Sequence, residues 1–114
     1  MSKRIEMLRE SLVRLASDAA AQLDYLRKIG VPDGIDELAL DYDAIAAAAG
    51  EMLRCGELNS SQYDCISRLN EWLQRMSGCA KSHLWTPEAL YSAQEWRQVR
   101  TMAIECINEL NRMG

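Results

Sequence analysis

Apolar residues recur along the chain at steps of three and four, and the alternation that marks strands is almost absent. In the first stretch Ile5, Leu8, Leu12, Leu15, Ala19, Leu26 and Ile29 keep this spacing with only Gln22 interrupting, which predicts one helix over about residues 2–29. Gly30-Val31-Pro32-Asp33-Gly34 ends it, with Gly at the left-handed position and Pro two residues beyond. A second helix over about 35–55 turns Ile35, Leu38, Ala39, Tyr42, Ile45, Ala46, Ala49, Met52 and Leu53 inward, and Gly56 closes it. A third, over about 60–77, opens on Asn59 as cap with Gln62 reaching back, and Leu58 stands where it can staple Tyr63. Its stripe is Cys65, Ile66, Leu69, Trp72, Leu73 and Met76. Thr86-Pro87-Glu88 starts a fourth helix, over about 87–112, that buries Ala93, Trp96, Ala103, Ile107 and Leu110.

Four helices joined by short connections predict an all-α chain folded as an up-and-down four-helix bundle, one domain over residues 1–114. The 114-residue length is enough for a monomer to bury roughly two-thirds of its unfolded surface. No fixed-period repeat points to a solenoid. Charged residues interleave through the first fifteen positions, so no signal peptide is expected, and no apolar run approaches the roughly 20 residues of a membrane span. Cys55, Cys65, Cys79 and Cys106 show no paired metal-site spacing and read as reduced thiols of a cytoplasmic protein.

Enzyme chemistry finds little support in the sequence. His83 is the single histidine, and Cys79 lies four residues before it, but no second ligand pair accompanies them. Phosphate-cradling Gly loops and Glu-x-x-His motifs are absent, so neither a cofactor nor a metal is expected. Arg100 is the unusual helical residue, because Trp96 and Ile104 stand one turn away on either side. It is expected to pair with an acid from another helix or to snorkel to water, with ligand binding as the alternative. Trp72 and Trp96 are expected in the core, whereas Trp85 fits either a core or a binding role.

Charge is distributed unevenly. The net charge of -4 argues against nucleic acid as partner. Residues 1–30 hold six basic and four acidic side chains and residues 58–114 hold six of each, but residues 31–57 set Arg54 against seven acids. On one continuous second helix, Asp36, Glu37, Asp41, Asp43 and Glu51 fall opposite the apolar face. Interspersed Lys or Arg would stabilise such a face, and none occurs between Ile29 and Leu53. Leu40, Ala44, Ala47 and Ala48 add low relief, so this surface suits a basic protein partner.

The acidic stretch Asp33-Gly-Ile-Asp-Glu-Leu-Ala-Leu-Asp-Tyr-Asp and the Trp-Thr-Pro-Glu-Ala-Leu start of the last helix resemble small all-helical immunity proteins of bacterial toxin systems, including contact-dependent inhibition. That resemblance implies a non-enzymatic domain that neutralises a basic toxin, such as a nuclease, by occluding its active site. The residues expected to carry it are Asp33, Asp36, Glu37, Leu40, Asp41 and Asp43. The competing reading is a helical adaptor or secretion-chaperone-like protein with an apolar groove, dimeric through its first helix. A third is an enzyme or ligand-binding bundle that uses Arg100, His83 and a thiol. The free protein is expected as a monomer or homodimer.

Overall fold

In a computed structural model the chain is described over residues 3–112. It is all-helical there, with seven α-helices and one 3₁₀ helix and no strand among the described residues. They are α1 (Lys3–Ala16), α2 (Ala19–Lys28), α3 (Asp36–Ala46), α4 (Ala49–Arg54), α5 (Ser60–Arg75), the 3₁₀ helix Cys79–Leu84, α6 (Pro87–Ser92) and α7 (Gln94–Asn111). Only the third expected helix is a single element, ending two residues early. The other three are divided, and Ser2, the expected start of the first, lies outside the described residues. No helix among the described residues is long and apolar enough to cross a membrane.

The long helices α1, α3, α5 and α7 each pack on two of the others, α1 on α3 and α7, α5 on α3 and α7. Antiparallel pairing is fixed by contacts at both ends. Arg9 bonds Asn111 while Arg100 reaches Ser17, and Gln62 bonds the Glu109 carbonyl while Trp72 bonds that of Glu95. The core between them holds Leu8, Leu12, Leu38, Tyr42, Met52, Ile66, Leu69, Trp96, Val99 and Ala103, all essentially sealed from solvent. Tyr42 is the one fully enclosed phenol, and its hydroxyl donates to the Ile66 carbonyl at 2.7 Å. Ile29, placed on the inward stripe by its spacing, is 45% exposed because the helix has ended before it.

Several element ends follow the expected chemistry. Gly30 and Gly56 adopt φ of 85° and 80°, and each sits in a Schellman turn, with Val31 N–H on the Leu26 carbonyl and Glu57 N–H on the Met52 carbonyl. Asn59 and Gln62 form the reciprocal capping box, and Thr86 caps Ala89 N–H with Pro87 following.

The three unexpected interruptions are held in different ways. At Ala47 and Ala48 the backbone stays right-handed, but Ala48 N–H bonds Ile45, three residues back, so the helix tightens and α4 leaves on a new phase. At Ser17-Asp18 and at Ala93 the backbone turns extended and the helical ladder is cut. Side chains take over the freed groups. Asp18 receives Ala21 N–H at 2.8 Å, and Gln22, only 1% exposed, donates its amide to the Arg14 and Leu15 carbonyls. In an unbroken helix the Ser17 and Leu90 carbonyls would accept from Ala21 and Gln94. Instead both accept from Arg100, through Nε at 3.1 Å and Nη2 at 2.5 Å, and Nη2 also bonds Gln22 Oε1 at 3.0 Å.

Arg100 therefore has no ion-pair partner among the described residues, contrary to the expected interhelical salt bridge. Its neighbours are carbonyls because the two chain breaks face it. Burial holds its pKa below the usual arginine value, partly offset by the field of Asp18. Replacing Arg100 with Ala leaves three acceptors without their donor and is expected to cost about 2–3 kcal/mol in urea unfolding. Lys, with one nitrogen for three acceptors, should recover less than half of the loss. Gln22→Leu should also destabilise, by about 1–2 kcal/mol, although it extends the apolar stripe. Losses under about 0.5 kcal/mol for both would show that the stitch is not needed.

Candidate functional site

Alpha helix α3 begins after an exposed turn in which Gly34 N–H bonds the Val31 carbonyl at 2.8 Å, leaving Asp33 at its tip. Asp36 and Glu37 occupy the first turn, where the positive end of the helix dipole favours carboxylates. Leu38, Tyr42 and Ile45 anchor the inner face. That anchoring points Leu40 outward at 50% exposure, and Asp36, Asp43, Ala44 and Ala47 are exposed around it.

The expected acidic face is thus present, but it is smaller and divided. Asp33, Asp36, Leu40 and Asp43 share exposed surface, and among the described residues no cation lies in ion-pair contact with these acids or with Glu37. Asp41 belongs to the flank toward α1 and α2, where its carboxylate accepts from the Tyr25 hydroxyl at 2.8 Å. Glu37 is half-buried on that same flank and contributes to the field at Tyr25. Glu51, expected on the same face, is carried away by the tightening at Ala47-Ala48. It lies 3.4 Å from Arg4, which also bonds Glu57, so two of the seven acids of this region are neutralised from α1.

On the inner flank a groove of about 280 Å3 runs between α1, α2 and α3, lined by Met7, Glu10, Arg14, Tyr25, Asp41 and Ala44 among others. The Arg14 guanidinium lies 4.7 Å from the Tyr25 ring centre, a cation-π contact, and its buried Nε has no hydrogen-bond partner among the described residues. Burial, the bond to Asp41 and the fields of Asp41 and Glu37 push the Tyr25 pKa up, while Arg14 works against them. The chain Arg14–Tyr25–Asp41 was not legible in the sequence. Sixteen positions separate Tyr25 from Asp41, and the helix break that redirects α2 had no periodic signal.

The remaining candidates separate from one another. His83 and Cys79 are both exposed on the 3₁₀ helix, and no group of three or more His, Cys, Asp or Glu side chains able to hold a metal occurs among the described residues. Arg100 is committed to the Ser17 and Leu90 carbonyls and to Gln22. Trp85 and Trp96 meet edge to face at 5.3 Å, and their indoles donate to the Met76 and Leu84 carbonyls at 2.8 and 2.6 Å. Trp72 donates to Glu95. Trp96 is fully buried in the core, whereas Trp72 and Trp85 are partly buried and packed against it.

Tyr25→Phe is expected to release the Asp41 carboxylate and cost about 0.5–1.5 kcal/mol. The Tyr25 pKa is raised in the folded state, so its contribution is complete below the unfolded tyrosine pKa of about 10 and fades as pH rises through the folded value. Ultraviolet titration of folded wild type and Tyr25→Phe should therefore differ by one phenol that ionises late. Loss of an ordinary, early-ionising phenol would contradict the bond. No known protein family matches the chain, and neither the curated proteins nor the solved structures contain a match to it.

Proposed function

We propose that this is a non-enzymatic protein-binding domain whose α3 face captures a basic partner. The observation that carries the reading is a cluster of exposed, unpaired carboxylates around an exposed leucine: Asp33, Asp36 and Asp43 beside Leu40, with Glu37 and Asp41 on the adjoining flank. Elsewhere the described ion pairs join Arg4 to Glu51 and Glu57, Lys28 to Asp24 and Arg112 to Glu109. The α3 acids repel one another without internal compensation, and a surface left in that state gains most from an external cation. Leu40, Ala44 and Ala47 allow close approach and supply apolar contact at the centre.

The biological form of this reading is an immunity protein that neutralises a basic toxin, with a nuclease as the class whose cleft is positive by necessity. Carboxylates at Asp33, Asp36 and Asp43 occupy positions that substrate phosphates would take, with Asp41 and Glu37 on the adjoining flank, and the rigid helix blocks the cleft. The antiparallel pairings of α1 with α7 and of α5 with α7 support the up-and-down bundle as the scaffold, with α2, α4 and α6 as helical connections.

The reading predicts that the gene directly upstream of this chain encodes a basic toxin domain, and the test uses the product of that gene. Wild type should bind it and abolish its activity, with association that slows as salt rises. Asp33→Asn, Asp36→Asn and Asp43→Asn combined should weaken binding by at least about tenfold at low salt, while fold stability stays within about 0.5 kcal/mol or improves. Glu51→Gln serves as the control and should leave binding unchanged. A neighbouring gene of another kind, or binding indifferent to both salt and the triple substitution, would overturn the proposal.

A further inference from the structure

A second pair of chemical groups meets on the opposite side of the fold. Helices α5 and α7 run antiparallel, with Gln62 against Glu109 and Trp72 against Glu95, and this register brings Cys65 level with Cys106. The two thiols are near enough that Cys65 acts on the ionisation of Cys106. Both line a surface groove of about 250 Å3 with Arg68, Gln98, Met102 and Glu105. They differ in setting: Cys65 is half-buried at the groove, whereas Cys106 is 1% exposed. Arg68, one turn on from Cys65, points Nη2 at its sulfur from 3.4 Å. Burial pushes the Cys106 thiol up to about 12, with the neighbouring Cys65 adding to the effect, so Cys106 keeps its proton at neutral pH.

We propose that Cys65 and Cys106 form a peroxide-responsive dithiol, in which Cys65 is oxidised first and Cys106 resolves it to an intramolecular disulfide. The guanidinium of Arg68 stands 3.4 Å from the partly exposed Cys65 sulfur, where negative charge collects as that sulfur attacks, with Glu105 also lining the groove. The oxidant is a hydroperoxide. The Cys65 sulfur attacks one peroxide oxygen, the O–O bond breaks, and the thiol proton leaves with the displaced hydroxide as water, giving the sulfenic acid. The Cys106 sulfur then attacks the Cys65 sulfur, the S–O bond breaks, and the Cys106 proton departs with that hydroxyl as a second water. Two thiols are oxidised by two electrons, and the peroxide is reduced. The bond would tie α5 to α7 across the core without touching the α3 face.

The test starts from the full chain with Cys55→Ser and Cys79→Ser, which removes two exposed thiols. Treated with hydrogen peroxide, this protein should lose both remaining thiols, form no disulfide between copies, yield a Cys65–Cys106 linked peptide in mass spectrometry, and recover fully with dithiothreitol. Its melting temperature should rise by roughly 10 °C on oxidation. Adding Cys106→Ala should arrest the reaction at the Cys65 sulfenic acid, captured by dimedone, and adding Arg68→Gln should slow the first step several-fold. The same linked peptide in the peroxide-treated wild type guards against effects of the serines. Disulfides only between copies, over-oxidation of Cys65 with Cys106 left as a thiol, or first attack at Cys106 would each overturn the proposal.

Discussion

Arg100 holds together the parts of this fold that its own secondary structure leaves open. Two helical ladders are cut, after Ala16 and after Ser92, and each cut frees backbone carbonyls at part-buried positions. One guanidinium on α7 answers both, binding Ser17 at the end of α1, Leu90 in α6 and the amide oxygen of Gln22 in α2. Gln22 turns its other end to Arg14 and Leu15. Five acceptors from three helices are thus served by two side chains. A charged donor is suited to this work, because bonds to a charged group are stronger than neutral ones and the fork reaches several acceptors from one residue.

The character of the α3 surface follows from where the cations are committed. Arg100 is spent on carbonyls and Arg4 on Glu51 and Glu57, while Arg14 lies against the Tyr25 ring. The break at Ser17-Asp18 matters here as well, since it redirects α2 so that Tyr25 meets α3 and occupies Asp41. What remains on the outer side is Asp33, Asp36 and Asp43 around Leu40, carboxylates that the fold does not compensate.

How far the sequence discloses this depends on whether a signal is local. The ends at Gly30 and Gly56, the Asn59–Gln62 box and the Thr86-Pro87 start are written within four residues and could be read directly. Asp18 is also a capping residue, but the three-and-four stripe runs through Ser17 and Asp18 almost in phase and masks it. Ala47, Ala48 and Ala93 carry no breaking signal at all, because alanine is the best helix former and only tertiary packing turns the chain there. Gln22 looked like a blemish in an apolar stripe and Arg100 like half of a salt bridge. Both are understood only once the breaks they close are known. Of the six candidate residues, the outward positions of Asp36, Leu40 and Asp43 were legible from the helical phase, and Asp33 falls in the Gly-Pro turn before it. The withdrawal of Asp41 and the half-burial of Glu37 depend on α2, whose direction no periodicity encodes.

The central claim is that the uncompensated carboxylates of α3 form the contact surface for a basic partner. Carbodiimide labelling of exposed carboxylates, read residue by residue with and without the bound partner, addresses it most directly. Asp33, Asp36 and Asp43 should lose reactivity in the complex, while Glu71 and Glu88, exposed on other elements, keep theirs. Undiminished labelling of the three aspartates in a saturated complex, with protection elsewhere, would contradict the account.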